Sequence, residues 1–163
     1  MSDDRTSTPL EVLVGNRLKL LRRTVGTAES CTGGLIAHLL TEVPGSSAYV
    51  MGGIVAYANN IKEQVLGVPA AMLIQYGAVS EQVAIAMAEG ARRALRVDYA
   101  LSVTGVAGPG GGTPEKPVGL IYVAVATPSG TYSAKHNWNS SDRSANKIKS
   151  AEAAFKLLLE RLG

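Results

Sequence analysis

The sequence predicts a three-layer α/β/α domain built on a mixed β-sheet. Three observations carry that reading. Helical and strand-type segments alternate along most of the chain, the strand candidates are short apolar runs of buried type, and two strands follow one another through a tight turn only near the end.

The elements follow in order. Thr8-Pro9-Leu10-Glu11 reads as a capping box with proline at the first helical position, and Leu10, Leu13, Val14, Leu18 and Leu21 then share one helical face. Val25 to Glu29 is a short strand. Thr32 to Val43 is a second helix, stopped by Pro44-Gly45. Val50 to Ala58 reads as a strand whose Gly52-Gly53 allows close approach of backbone or ligand. Asn59 caps a short helix through Leu66, Pro69 starts another that ends at Gly77, and Ser80 caps a longer one to about Arg96. Ala100 to Thr104 and Val118 to Thr127 are apolar, β-branched strands, and Pro128-Ser129-Gly130 turns the second into a third, Thr131 to Trp138. Ser141 or Asp142 caps the final helix, with Ile148, Ala151, Phe155, Leu158 and Leu162 as its buried stripe.

Composition narrows the function. With 163 residues, 46% hydrophobic and 18% charged, residues 1–163 fit one domain that needs no disulfide or metal staple. One cysteine fits a reducing compartment. No apolar run reaches the roughly 18 residues of a membrane span, and the start MSDDRTSTP lacks the order of a signal peptide. The chain therefore reads as cytoplasmic, with no membrane partner. Its net charge of +3 is scattered and only 5% of residues are aromatic, which argues against nucleic acid and for a small anionic ligand. His38, His136 and Cys31 lie far apart without HExxH or CxxC spacing, so no metal site is expected.

Three stretches are dense in small and polar residues: Thr27 to Gly34, Pro44 to Ser47, and Thr104 to Gly112. Each falls at an expected strand or helix end, where α/β proteins place ligands. In the first, the amides of a helix start together with the Ser30 and Thr32 hydroxyls can hold an anion or an oxyanion. Cys31 sits there too, where a helix N-terminus would favour its thiolate. The glycine-rich loop is no nucleotide-cofactor signature. Pro109, Pro114 and Pro117 break the helix a dinucleotide fingerprint requires, and Lys116 lies between Glu115 and Pro117 rather than in Gly-Lys-Ser/Thr. No cofactor is implied. The remaining nucleophile candidates are hydroxyls with lysine as base. Ser46-Ser47, Tyr57 and Lys62 lie on consecutive short elements, and such a pair needs a lysine amine made neutral by burial or a nearby positive charge. On the last helix Arg143 and Lys147, four apart, place two cations in the first turns, as a phosphate site would use them.

At these residues the chain resembles a known family. TAESCTGGLIAHLLTEVPGSS, GGIVAYANNIKEQVLGV, GAVSEQVA and SVTGVAGPGGGTPEKPVGLIYVAVA are similar, in order, to motifs of the CinA C-terminal domain family, from about Thr27 to Lys149. The resemblance implies a fold of that family's type and the activity of its characterised members. They hydrolyse nicotinamide mononucleotide (NMN) to nicotinate mononucleotide and ammonia without metal or cofactor. It assigns the serine nucleophile to Ser47, with Tyr57 and Lys62 as its catalytic partners, Lys62 being the base. It places substrate-binding roles on Ser30 and neighbouring Thr32 and Gly33, on Thr104 and Gly105, and on Arg143 with Lys147. It also implies a homodimer. Ala58 replaces the serine common after the tyrosine, Ala56 stands where threonine is frequent, and Lys147 stands where a second arginine is common. The N-terminal domain that many bacterial relatives carry is not among these residues. A second reading is a nucleotide-binding module of the competence and damage-inducible type that keeps the pocket without turnover.

Overall fold

Residues 7–163 are described by a computed structural model. The acidic start at residues 1–6, used above against a signal peptide, lies outside them. Five strands, β1 (Val25–Glu29), β2 (Val50–Val55), β3 (Tyr99–Gly105), β4 (Leu120–Thr127) and β5 (Gly130–Asn137), form one sheet in the order β2-β1-β3-β4-β5. β1 runs parallel to both neighbours, whereas β3–β4 and β4–β5 are antiparallel, so the sheet is mixed as its sequence pattern predicts. Helices α1 (Leu10–Leu21), α2 (Leu35–Glu42) and α6 (Arg143–Arg161) pack together on one face. Helices α3 (Asn59–Leu66), α4 (Ala70–Tyr76) and α5 (Glu81–Leu95) pack together on the other. No helix among the described residues is long and apolar enough to cross a membrane.

Alternation along β3 builds both cores. Tyr99, Leu101 and Val103 join Phe155 and Leu158 of α6 beneath one face, and Ala100 joins Val83 and Met87 of α5 beneath the other. The intervening Ser102 and Thr104 also face α5, and each hydroxyl is satisfied by a backbone carbonyl, Ala84 at 2.6 Å and Ala78 at 2.8 Å. Gly53 permits the tight seating of α2, because a Cβ there would lie 2.6 Å from Thr27 Oγ1 and 3.2 Å from Ala37 Cβ.

Several helix ends differ from expectation. Pro9 itself stands at the N-cap of α1 and no side chain caps it, so the Thr8–Glu11 box does not form. The second helix begins at Leu35 rather than Thr32, because residues 31–34 make a turn with Gly33 and Gly34 at φ +63° and +110°. Ala58, not Asn59, occupies the N-cap of α3. Ser80 caps α5 and Asp142 caps α6 by accepting from Val83 N and Ala145 N. In the α6 stripe Ile148 is half exposed, while Ala151, Phe155, Leu158 and Leu162 are buried.

Candidate active site

The three parallel strands end together. Glu29 is level with Val55 of β2 and Val103 of β3, so the chain leaves the same sheet edge at Ser30, at Ala56–Tyr57 and at Thr104–Gly105. That is the carboxyl edge where open α/β sheets hold ligands. A cleft of about 300 Å³ lies there, lined by Ser30, Tyr57, Gly105, Ala107, Gly108 and Arg143, among others. Wider depressions of about 400 and 560 Å³ lie elsewhere, and neither is lined by a buried ionisable side chain.

Lys62 sits behind Ser30. It is 1% exposed, and its Nζ donates to Ser30 Oγ at 3.0 Å and to the Tyr57 carbonyl at 3.0 Å. The fold forces this placement: α3 starts directly after β2, and Lys62 shares its inward side with Leu66 one turn on. Burial pulls the ammonium below its ordinary range, and a thiolate at Cys31 would push it back up. Among the described residues no carboxylate forms an ion pair with it. A lysine so held is the poised amine that a serine hydroxyl needs as base.

Ser47 does not share this site. It is exposed, in a single 3-10 turn (Ser46–Ala48) that precedes β2, whereas Lys62 follows β2. Six extended residues separate the two ends of that strand, roughly 17 Å, so they face opposite sheet edges. The serine next to the Lys62 amine is Ser30, and the Ser47 assignment gives way to it. Tyr57, the other expected catalytic partner, meets Lys62 through its main chain. Its backbone carbonyl, not its phenol, meets Lys62, and the phenol oxygen accepts from Arg143 Nη2 at 3.2 Å.

Cys31 lines the cleft beside Ser30, but burial pushes its thiol up to about 12, so the helix-start argument for a thiolate is overturned. The start of α2 is no open anion site either. The carboxylate of Glu29, 1% exposed, accepts from the Ile36 and Ala37 amides at 2.8 and 3.0 Å and from the Thr32 hydroxyl at 2.7 Å. The protein's own anion occupies that helix end. Thr32 is thereby committed to Glu29 and lies outside the cleft lining, as do Gly33, Thr104 and Lys147. The Thr104 hydroxyl tethers Ala78, next to Val79 of the cleft wall. Gly33 lies near the Lys147 amine: a Cβ there would stand 3.8 Å from Nζ.

Arg143, the first residue of α6, spans the mouth. Its Nη1 donates to the Gly108 carbonyl at 2.8 Å while Nη2 reaches Tyr57, joining two walls of the cleft. His38 is exposed on α2 beside Glu42, and His136 stacks on Trp138 with ring centroids 4.7 Å apart, both away from the site. Among the described residues no three His, Cys, Asp or Glu side chains cluster as metal ligands. Sequence reasoning passed over Glu29, although an acidic residue closing a wholly buried strand is a visible signal, and Asn146, for which periodicity offers none.

A mixed five-stranded α/β domain with a buried serine–lysine pair at its carboxyl edge defines the class. Within it, the chain belongs to the CinA C-terminal domain family, whose model matches residues 7–162. A CinA-like protein of Anaeromyxobacter sp. is 54% identical over 91% of this chain and 36% of its own length. A putative competence-damage inducible protein of Desulforudis audaxviator is 58% identical over 72% of this chain and 28% of its own. The chain thus spans about a third of the length of the curated relatives it matches. Among solved structures, the competence/damage inducible protein CihA of Agrobacterium tumefaciens superposes with a TM-score of 0.91 at 41% identity, covering 93% of this chain and 92% of that one. A CinA superfamily protein of Escherichia coli superposes with a TM-score of 0.90 at 30% identity, covering 98% and 92%.

Proposed function

We propose that this chain hydrolyses the carboxamide of NMN to nicotinate mononucleotide and ammonia, with Ser30 as nucleophile and Lys62 as its base. The observation that carries this reading is the 3.0 Å contact between Lys62 Nζ and Ser30 Oγ, made by a buried lysine behind a cleft that Arg143 spans. The choice of NMN rests on the family resemblance; the relatives' names speak of competence and damage.

As a neutral amine, Lys62 keeps one N–H on the Tyr57 carbonyl and turns its lone pair to the Ser30 hydroxyl. It takes that proton as Oγ bonds to the carboxamide carbon. The carbonyl electrons move onto oxygen. The Cys31 amide, next in the chain to the nucleophile, receives that charge. Collapse breaks the C–N bond, Lys62 returns the proton to nitrogen, and ammonia leaves. Water then attacks the acyl-enzyme, Lys62 again accepting its proton, and nicotinate mononucleotide departs with Ser30 restored. Arg143 supplies the charge for the 5′-phosphate, and the exposed Tyr57 ring offers the nicotinamide a flat apolar face.

Chelator-treated protein incubated with NMN, with ammonia and nicotinate mononucleotide both quantified, tests the reaction. Ser30→Ala is expected to lose at least about 10³-fold in kcat, as removal of a covalent nucleophile does, while Ser47→Ala and Cys31→Ala keep most activity. Full turnover by Ser30→Ala beside an inactive Ser47→Ala would return the nucleophile to Ser47. Binding of NMN with no ammonia would favour the nucleotide-binding module instead.

A further inference from the structure

We infer that Asn146 is a positioning residue for substrate: by holding the Ala107 carbonyl it aims the Gly108 N–H into the cleft as a donor to the phosphate that Arg143 attracts. This donor adds to the mononucleotide reading proposed above, on which the choice of phosphate as the anion rests.

Asn146 has no exposed surface, and its amide nitrogen donates to the Ala107 carbonyl at 2.9 Å and to the Ser140 carbonyl at 2.8 Å. Three residues earlier on α6, Arg143 donates to the Gly108 carbonyl at 2.8 Å. The first turns of α6 therefore pin two successive carbonyls of the glycine-rich loop. In a trans peptide the C=O and the following N–H point in opposite directions. Fixing the Ala107 oxygen toward α6 thus turns the Gly108 N–H away from that helix. Among the described residues this N–H meets no acceptor, yet Gly108 is buried and lines the cleft. Buried N–H groups are nearly always paired, so one at a cleft wall takes solvent or a ligand. The next residue, Pro109, has no N–H to offer. Gly108 itself has φ +83°, and a Cβ there would meet Val118 at 2.4 Å, so the position admits only glycine without disturbance. The Oδ1 of Asn146 has no partner, so the side chain is kept for its two N–H bonds. Aspartate could not make them, and an apolar residue would leave both carbonyls bare.

The test is an amide-resolved NMR titration of the ¹⁵N-labelled protein with inorganic phosphate, nicotinate mononucleotide and the phosphate-free nicotinate riboside, none of which turns over. The Gly108 amide is expected to shift with the first two and stay still with the third. Asn146→Ala should abolish that shift and raise KM for NMN about tenfold with kcat within about twofold, as loss of a binding contact does. A Gly108 amide unmoved by saturating nicotinate mononucleotide, or moved equally by the riboside, overturns the assignment. So does an Asn146→Ala protein that loses only kcat. The titration of the parent protein decides the matter even where the variant fails to fold. Ammonia release without a Gly108 shift removes this donor and leaves the amidohydrolase. A Gly108 shift with phosphate but no ammonia from NMN keeps the anion site and removes the reaction.

Discussion

Lys62 is the ionisable group on which the proposed reaction turns. It is buried with no carboxylate to pair with among the described residues, so its charged form is disfavoured and its native value lies below the ordinary 10.5. Between that lowered value and 10.5 the unfolded chain carries a proton that the native chain does not. Stability therefore rises with pH across this window, and the charged lysine costs stability below it. Lys62→Met should flatten the rise, seen as denaturant midpoints that no longer climb with pH, while abolishing turnover. In the parent protein kcat/KM for NMN should rise with one deprotonation in the same window. A midpoint at or above 10.5 would mean that Lys62 enters the reaction charged and is not the base. Among the other residues of the site, the sequence named Ser30, Tyr57, Gly105 and Arg143 as candidates, and all four line the cleft. It could not show that Thr32 and Thr104 spend their hydroxyls on Glu29 and Ala78, because those bonds depend on how turns fold back on strand ends.

At the scale of elements, periodicity read most of the fold. β1 has the expected bounds, α5 runs from its Ser80 cap to within a residue of its expected end, and the late hairpin turns at Pro128-Ser129, within the expected Pro128-Ser129-Gly130. Misreadings cluster at helix starts, where no side chain caps α1, α2 or α3 locally. The case that matters is α2, whose first turn is held not by Thr32 but by a carboxylate from the preceding strand. Glu29 thereby fixes the 30–34 turn that presents Ser30 and Cys31 to the cleft. Glu29→Gln keeps the shape but replaces one accepting oxygen with a donor that faces an amide N–H. Hydrogen bonds to charged groups contribute about 1.5–3 kcal/mol, so a loss of that order is expected, or several degrees in Tm. Chemical denaturation at neutral pH measures it. Unchanged stability would show that α2 caps itself in another way.

For the whole molecule, strand polarity decides which residues can meet. β1, β2 and β3 are parallel, so their carboxyl ends share one edge, and whatever precedes β2 belongs to the other. Ser47 and Lys62 flank β2, and that fact was available from the sequence once Val50 to Ala58 was read as a strand. Closeness along the chain hid it. The same architecture brings Ser30 from β1, Lys62 and Tyr57 from beyond β2, the glycine-rich loop from β3 and Arg143 from α6 to a single edge. Every group of the proposed step thus comes from this sheet and its helices, although the chain spans only about a third of its relatives' length. The 163-residue chain alone is therefore expected to unfold in one cooperative transition and to release ammonia from NMN with no other protein added. Exhaustive chelation should leave that rate unchanged, since the base is an amine and the nucleophile a hydroxyl. The check is a steady-state rate before and after chelation, beside a thermal melt followed by two probes. A rate lost on chelation and restored by Zn²⁺ or Mn²⁺ would replace the serine–lysine step with metal-activated water. A rate that appears only when another domain is supplied would mean that part of the site lies outside this sheet.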